Sequence, residues 1–144
     1  MIYHFKVHKE GTAYWAECFE LKGCQTEGDT MDELEKNASE ALHLYLQEPA
    51  KSKMVFPLPK KSLGKKSNVI SVPVDAELAL AVYLRALRHR RRMTQRQAAT
   101  VLGYKEIWKY QKLESPRGSN PTLKTLATIA KKFPGFSVDD ILEG

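Results

Sequence analysis

The sequence predicts an α+β chain: a small antiparallel sheet with one helix at the N-terminal end, and an all-α helix-turn-helix domain at the C-terminal end. Three observations lead there. Residues 2–27 alternate apolar and polar side chains with a period of two between glycine-containing turns, and the period becomes helical over 31–47. From Ala76 onward the apolar spacing is helical. The charge divides in the same place. Residues 1–50 hold 4 basic and 10 acidic groups, a net −6; residues 51–75 hold 6 lysines and one aspartate, +5; residues 76–144 hold 13 basic and 6 acidic groups, +7, within a total of +6. An acidic front and a basic back mark modules with different partners, and the basic one suits polyanions.

In the front module, Tyr3, Phe5 and Val7 alternate with Ile2, His4, Lys6 and His8 in a first strand. Glu10-Gly11-Thr12 makes the hairpin turn, Tyr14 to Phe19 the second strand, and Gly23 to Glu27 a short third one. Gly28-Asp29-Thr30 is a turn, and Thr30 with Glu33 forms a capping box. The helix that follows, Met31 to Gln47, carries an apolar stripe of Leu34, Ala38, Ala41, Leu42, Tyr45 and Leu46. Three strands covered on one side by a helix form a minimal layered unit.

Residues 51–75 read as a Lys/Pro-rich linker followed by a strand. Lys60, Lys61, Lys65 and Lys66 fit a mobile solvated loop, with phosphate contact as the alternative, and Phe56-Pro57-Leu58-Pro59 is the part suited to dock. Val69 to Val74 is the strand, with Pro73 placing it at an edge. It either joins the front sheet or pairs with its copy in a second subunit.

In the back module, Asp75 caps a helix from Ala76 to Arg92, with Leu80, Tyr83, Leu84 and Leu87 on one face and Ala79, Val82 and Ala86 on another. A helix apolar on two faces wants two partners, which predicts a homodimer or homotetramer. Arg88, Arg90, Arg91 and Arg92 suit the helix C-terminus without any nucleic acid, and beside Thr94 and Gln95 some of them are also expected to meet phosphate. Thr94 is an N-cap, Ala98, Ala99, Val101 and Leu102 face inward, and Gly103 turns the chain. A second helix carries Tyr104, Ile107, Trp108, Tyr110 and Leu113 among Lys105, Lys109 and Lys112. After a loop over 115–121, Thr122 to Phe133 is a helix with Leu123, Leu126, Ile129 and Ala130 inward; Gly135 breaks it, and Val138 to Leu142 is the last one.

A short helix, a glycine turn and a cationic second helix form the pattern of a reader of the DNA major groove, which is about 12 Å wide. The expected contacts are Thr94, Gln95, Arg96, Lys105, Glu106, Trp108, Lys109, Gln111 and Lys112. Gln95, at a helix N-terminus, suits a phosphate. Trp108 has two readings, packing in the core or a dimer contact, and an exposed ring against a thymine methyl.

Two resemblances follow from particular residues. From Leu84 to Leu142, the Thr94-Gln95 start, Ala98-Ala99, Leu102-Gly103 and Asn120-Pro121-Thr122 resemble the Cro/CI-type repressor family. Trp15-Ala16-Glu17, Leu21-Lys22-Gly23-Cys24, Glu27-Gly28-Asp29-Thr30 and a helix ending Leu44-Tyr45-Leu46 resemble the HicB antitoxin domain. The resemblances divide the chain into a HicB-like toxin-binding domain over 1–50, the linker and strand over 51–75, and a Cro/CI-type helix-turn-helix domain over 76–144. They imply a partial ribonuclease-H-like front fold and a HicA-like mRNA-cleaving toxin as partner. They also imply operator DNA as ligand, so that the protein is a type II antitoxin repressing its own operon. Glu17, Glu20 and Asp29 are the candidates for docking the basic toxin; the plainer reading of the acidic residues is a solvated face. The alternative function is a stand-alone transcriptional repressor with a small ligand-sensing or dimerising N-terminal domain.

Enzymatic activity is not expected. Ribonuclease-H chemistry needs carboxylates gathered on strand ends to hold metal ions, and the strand from Ile2 to Lys9 has none. Cys18 and Cys24 lack the second pair of a metal finger and read as reduced, partly buried thiols, while His4, His8, His43 and His89 form no triad or ligand set. No metal or cofactor is expected. Without a signal peptide or an apolar run near about 18 residues, the expectation is a cytoplasmic protein with no membrane contact.

Overall fold

The computed structural model describes residues 1–143. It is α+β, with a four-stranded antiparallel sheet and six α-helices among the described residues. Two compact units contain most of the chain: Met1–Gln47 with Pro57–Asp75, and Glu48–Phe56 with Ala76–Leu142.

In the first unit, β1 (Ile2–Glu10), β2 (Ala13–Cys18), β3 (Gln25–Gly28) and β4 (Val69–Pro73) lie in the order β3-β2-β1-β4. The 69–74 segment therefore joins the front sheet, with Tyr3 opposite Val72. Phe5 pairs with Cys18 and Val7 with Ala16. This register puts Tyr3, Phe5, Ala16, Cys18 and Val72, all buried, on one face. Helix α1 (Met31–Leu46) covers that face with Leu34, Ala38, Leu42 and Leu46. Cys18 and Cys24 are buried and unlinked. Burial pushes the Cys18 thiol up to about 12 and the Cys24 thiol up to about 11.

The N-terminus of α1 is built as the sequence predicts, with one shift. Thr30 Oγ1 accepts from the Glu33 N–H at 3.1 Å, but the Glu33 carboxylate accepts from Asp29 N–H rather than closing the box on Thr30. Gly28 is required just before it, because a Cβ there would lie 2.7 Å from the Leu34 backbone nitrogen. Gly28→Ala is expected to force the end of β3 away from α1 and cost about 1–3 kcal/mol, the usual scale of overpacking. Urea unfolding of the two proteins measures this; an unchanged midpoint would show that the strand end gives freely.

The Lys/Pro-rich stretch is not a free linker, and its two ends go to different units. Residues 48–56 are bound through their main chain: Arg85 donates to the Pro49 carbonyl at 2.9 Å and to that of Met54 at 3.2 Å. Residues 57–66 lie on the sheet unit and include a 3-10 turn, Lys61–Lys65. There the Tyr3 hydroxyl donates to the Pro57 carbonyl and the Lys60 N–H donates to Glu20. Side-chain composition predicts a solvated loop because the lysine heads are indeed exposed; the anchoring uses backbone groups that composition does not reveal.

In the second unit, α2 (Ala76–Arg90) ends two residues earlier than expected. Met93 N–H bonds to the Arg88 carbonyl and Arg92 N–H to that of His89. Arg92 takes φ +53°, completing a Schellman cap without glycine. Leu78 to Leu87 are all buried, so Ala79, Val82 and Ala86 are already covered within one chain. The two-faced helix is therefore no argument for a subunit interface. α5 (Leu123–Lys132) buries Ile129, with Phe133 at its end, but Leu123 is 84% exposed and Ala130 is also outside. The Thr122 cap sets the helix so that its first residue points to solvent. α6 (Val138–Leu142) closes the unit, and the Tyr83 hydroxyl donates to the Gly135 carbonyl beside it at 2.8 Å. Among the described residues no helix is long and apolar enough to cross a membrane.

Candidate nucleic-acid interface

The helix pair expected to read DNA is α3 (Gln95–Val101) and α4 (Ile107–Gln111). Thr94 and Gln97 form a complete capping box: Thr94 Oγ1 accepts from Gln97 N–H, and the Gln97 side chain accepts from Thr94 N–H. At the other end Gly103 has φ +82°, and Tyr104 N–H bonds back to the Ala99 carbonyl at 2.9 Å. Glycine is favoured there because the left-handed conformation costs it nothing. Inside the pair Ala98 and Ala99 are buried, while Leu102 is half-buried and Val101 is exposed, contrary to the expected inward face. The second helix is shorter than predicted. Glu106 is extended, so the helix starts at Ile107, and it tightens into a 3-10 turn over Lys112–Glu114.

A buried ionic brace holds the pair against α2. Glu114 is fully buried. Arg88 donates to its carboxylate through Nε and Nη2 at 3.0–3.1 Å and also to the Met93 carbonyl at 2.9 Å. Arg85, itself buried, donates to the Glu114 carbonyl at 3.3 Å. Gln95 Nε2 donates to Glu114 Oε2 at 3.1 Å and to the Ala50 carbonyl, while its Oε1 accepts from Gln111 at 3.1 Å. Burial works to lower the Arg88 pKa, but the hydrogen bonds and charge of Glu114 outweigh it and leave the group raised. Burial, and then the same carboxylate, push the neighbouring Tyr110 hydroxyl far up.

This brace changes the roles expected of Gln95 and Gln111. Both side-chain N–H groups and the carbonyl of Gln95 are engaged inside the unit, so its amide does not present to a phosphate. Gln111 is half-buried against Gln95 rather than displayed toward base edges. Thr94 is exposed, but its hydroxyl serves as the helix cap. Arg85 and Glu114 were absent from the expected site, and Arg88, one of the arginines expected near phosphate, is instead tied to Glu114 and the Met93 carbonyl. A signal existed: Glu114 is the one acidic residue between Glu106 and Asp139, and Arg85 interrupts an otherwise apolar stretch of helix.

The remaining expected residues do share a solvent-exposed setting. Arg96, Lys105, Glu106, Trp108, Lys109 and Lys112 are all exposed. Trp108 is 53% exposed, which removes the core-packing reading. The ammonium groups of Lys109 and Lys112 each lie 5.8 Å from its ring centroid, and Lys109 is 3.2 Å from Glu106. Beside them an open groove of about 350 Å³ runs between Trp108 and the start of α5 at Thr122. The surface offers cations around a flat aromatic ring, which suits phosphates flanking a base edge.

In the sheet unit the three acidic candidates separate. Glu17 is partly exposed and lies 3.2 Å from His8 Nε2. Asp29 is exposed. The Glu20 carboxylate is internal: it accepts from His4 N–H at 3.0 Å, stands 2.9 Å from His4 Nδ1, and accepts from Lys60 N–H at 3.1 Å. Its side chain is 1% exposed, so it forms no part of an acidic surface. Three nitrogen groups converge on the point where the chain leaves β2, and the carboxylate turns in to meet them. Among the described residues no three His, Cys, Asp or Glu side chains cluster as metal ligands. No protein-family model matches the chain, and comparison with curated proteins finds no match.

Proposed function

We propose that the chain is the antitoxin of a type II toxin-antitoxin system and the repressor of its own operon. The front unit, a HicB-like domain with a partial ribonuclease-H-like fold, masks a HicA-like mRNA-cleaving toxin. The back unit, a Cro/CI-type domain working as a homodimer or homotetramer in the cytoplasm, binds an inverted-repeat operator with its readers about one DNA turn apart. The observation that carries this reading is the braced helix pair: a buried Arg88–Glu114–Gln95 network fixes α3 against α4 while Arg96, Lys105, Trp108, Lys109 and Lys112 remain outside. A rigid pair with its cations outward is what insertion into a groove demands.

The test is binding of the full chain to the DNA upstream of its own reading frame, measured by fluorescence anisotropy over a salt series. Affinity should fall steeply with salt. Lys109→Ala should reduce the slope by about 1 and weaken upstream and random DNA alike, as a phosphate contact carries no sequence information. Trp108→Ala should instead erode the preference for upstream DNA. Equal affinity of the parent protein for upstream and random DNA would reject the repressor role. Mass spectrometry of the protein purified from its native cells then separates antitoxin from stand-alone repressor: a stoichiometric small basic ribonuclease is expected, and its absence leaves the repressor alone.

A further inference from the structure

The face of the sheet opposite α1 is covered over one half only. The register places His4, Lys6 and His8 of β1, Trp15 and Glu17 of β2, and Gln25 and Glu27 of β3 on it. On the β4 side His4 is buried beneath the 57–66 segment, where a Cβ on Gly64 would come within 3.4 Å of its Nε2. On the β3 side Glu10, Gln25 and Glu27 are exposed and Glu17 is half-exposed.

That uncovered half is not an ordinary polar sheet surface. Trp15 lies in its middle, and His8 stacks on the indole with ring centroids 4.0 Å apart and planes 16° from parallel. His8 is held in turn by Glu17. The ring is thus fixed in orientation before anything binds. It borders a shallow concavity of about 420 Å³ lined also by Glu10, Gln25, Thr26 and Glu27. Lys6, across from Glu17, is the one cation the strands place on the uncovered half, where Glu10, Glu17 and Glu27 outnumber it; Lys60, Lys61, Lys65 and Lys66 belong to the segment over the other half. An aromatic plane ringed by carboxylates matches a guanidinium, which stacks flat on the indole and donates its paired N–H groups to a neighbouring carboxylate. An ammonium uses only the charge.

We propose that this half-face is the docking surface for a basic protein partner, with an arginine of that partner stacked on Trp15 and paired with Glu17 or Glu27. It rests on the antitoxin reading for who the partner is, and not for the surface itself. The outer side of α1 is also acidic, with Asp32, Glu35 and Glu40 exposed, but it offers no comparable ring. Charge alone does not choose between the two faces; the pre-oriented aromatic does.

The experiment titrates the full chain with a short peptide of alternating arginine and glycine, and with its lysine counterpart, following backbone and indole N–H shifts by NMR. The arginine peptide should bind more tightly than the lysine one, with shifts centred on Trp15, Glu17 and Glu27. Trp15→Ala should weaken it by about two- to fivefold, the range of an exposed cation–π contact. Glu27→Lys, at an exposed position, should weaken it several-fold, and Glu17→Lys with Glu27→Lys, which also frees His8, should weaken it more than about tenfold by placing like charges together. Asp32→Lys with Glu35→Lys should leave it nearly unchanged. No binding, equal binding of the two peptides, or loss on the α1 variant alone would overturn the proposal. With the natural partner in hand, Glu17→Lys/Glu27→Lys should release it. Retention would place the partner elsewhere and leave the antitoxin reading standing. Arginine binding at Trp15 with no natural partner would sink the antitoxin reading and leave the surface standing.

Discussion

Glu114→Ala is expected to destabilise the helical unit by about 3–5 kcal/mol, the cost of breaking a buried ion pair from one side. The loss is large because it is not a single contact. The carboxylate is the acceptor for Arg88 Nε and Nη2 and for Gln95 Nε2, and Arg85 Nε stands 3.6 Å away. Alanine leaves a buried cation and a buried amide facing a void, and each unpaired buried group carries its own desolvation cost. Glu114→Gln should recover part of the loss, since it keeps the shape and an acceptor oxygen but not the charge. Urea unfolding by circular dichroism measures both. If the unit binds DNA as proposed, the affinity of the folded fraction should fall as well, because α3 and the 3-10 turn after α4 lose their common anchor. A midpoint shift worth less than about 1 kcal/mol would mean that the brace is no stronger than an exposed pair.

The second large effect is expected at Glu20. Glu20→Ala removes the acceptor shared by His4 N–H, His4 Nδ1 and Lys60 N–H. The two groups of His4 remain buried, at about 1–3 kcal/mol for each unsatisfied one, whereas Lys60 N–H reaches water once the segment lifts. The expected result is a local opening of residues 57–66 ahead of global unfolding. Limited trypsin digestion reads it directly, because Lys60, Lys61, Lys65 and Lys66 lie in that segment. Cleavage there should accelerate more than about tenfold, as expected when an opening loses over about 1.4 kcal/mol of protection, while sites in α5 stay slow. Uniform acceleration at all sites would show that the carboxylate supports the whole unit; an unchanged pattern would show that the segment is held by Tyr3 and Pro57 alone.

The expected and observed elements agree where the signal is local. The period-two strands, the Thr30 and Thr94 caps, the Gly103 turn and the α+β class follow from hydrogen bonds and side-chain spacings within about one helical turn, and the sequence displays these directly. The tertiary structure alone decided the polar groups. Glu17 and Glu20 are three residues apart and both acidic, yet one faces solvent and the other accepts from a backbone group 40 residues away. Gln95 looks like a helix-end amide free for phosphate until Glu114, 19 residues on, and Ala50, 45 residues back, consume its side chain. The covered second face of α2, the outward Leu123 and the anchored 48–66 stretch have the same origin. Whether a polar side chain is a surface group or an internal tie depends on which distant donors converge on it, and only the folded chain brings them within 3 Å or so.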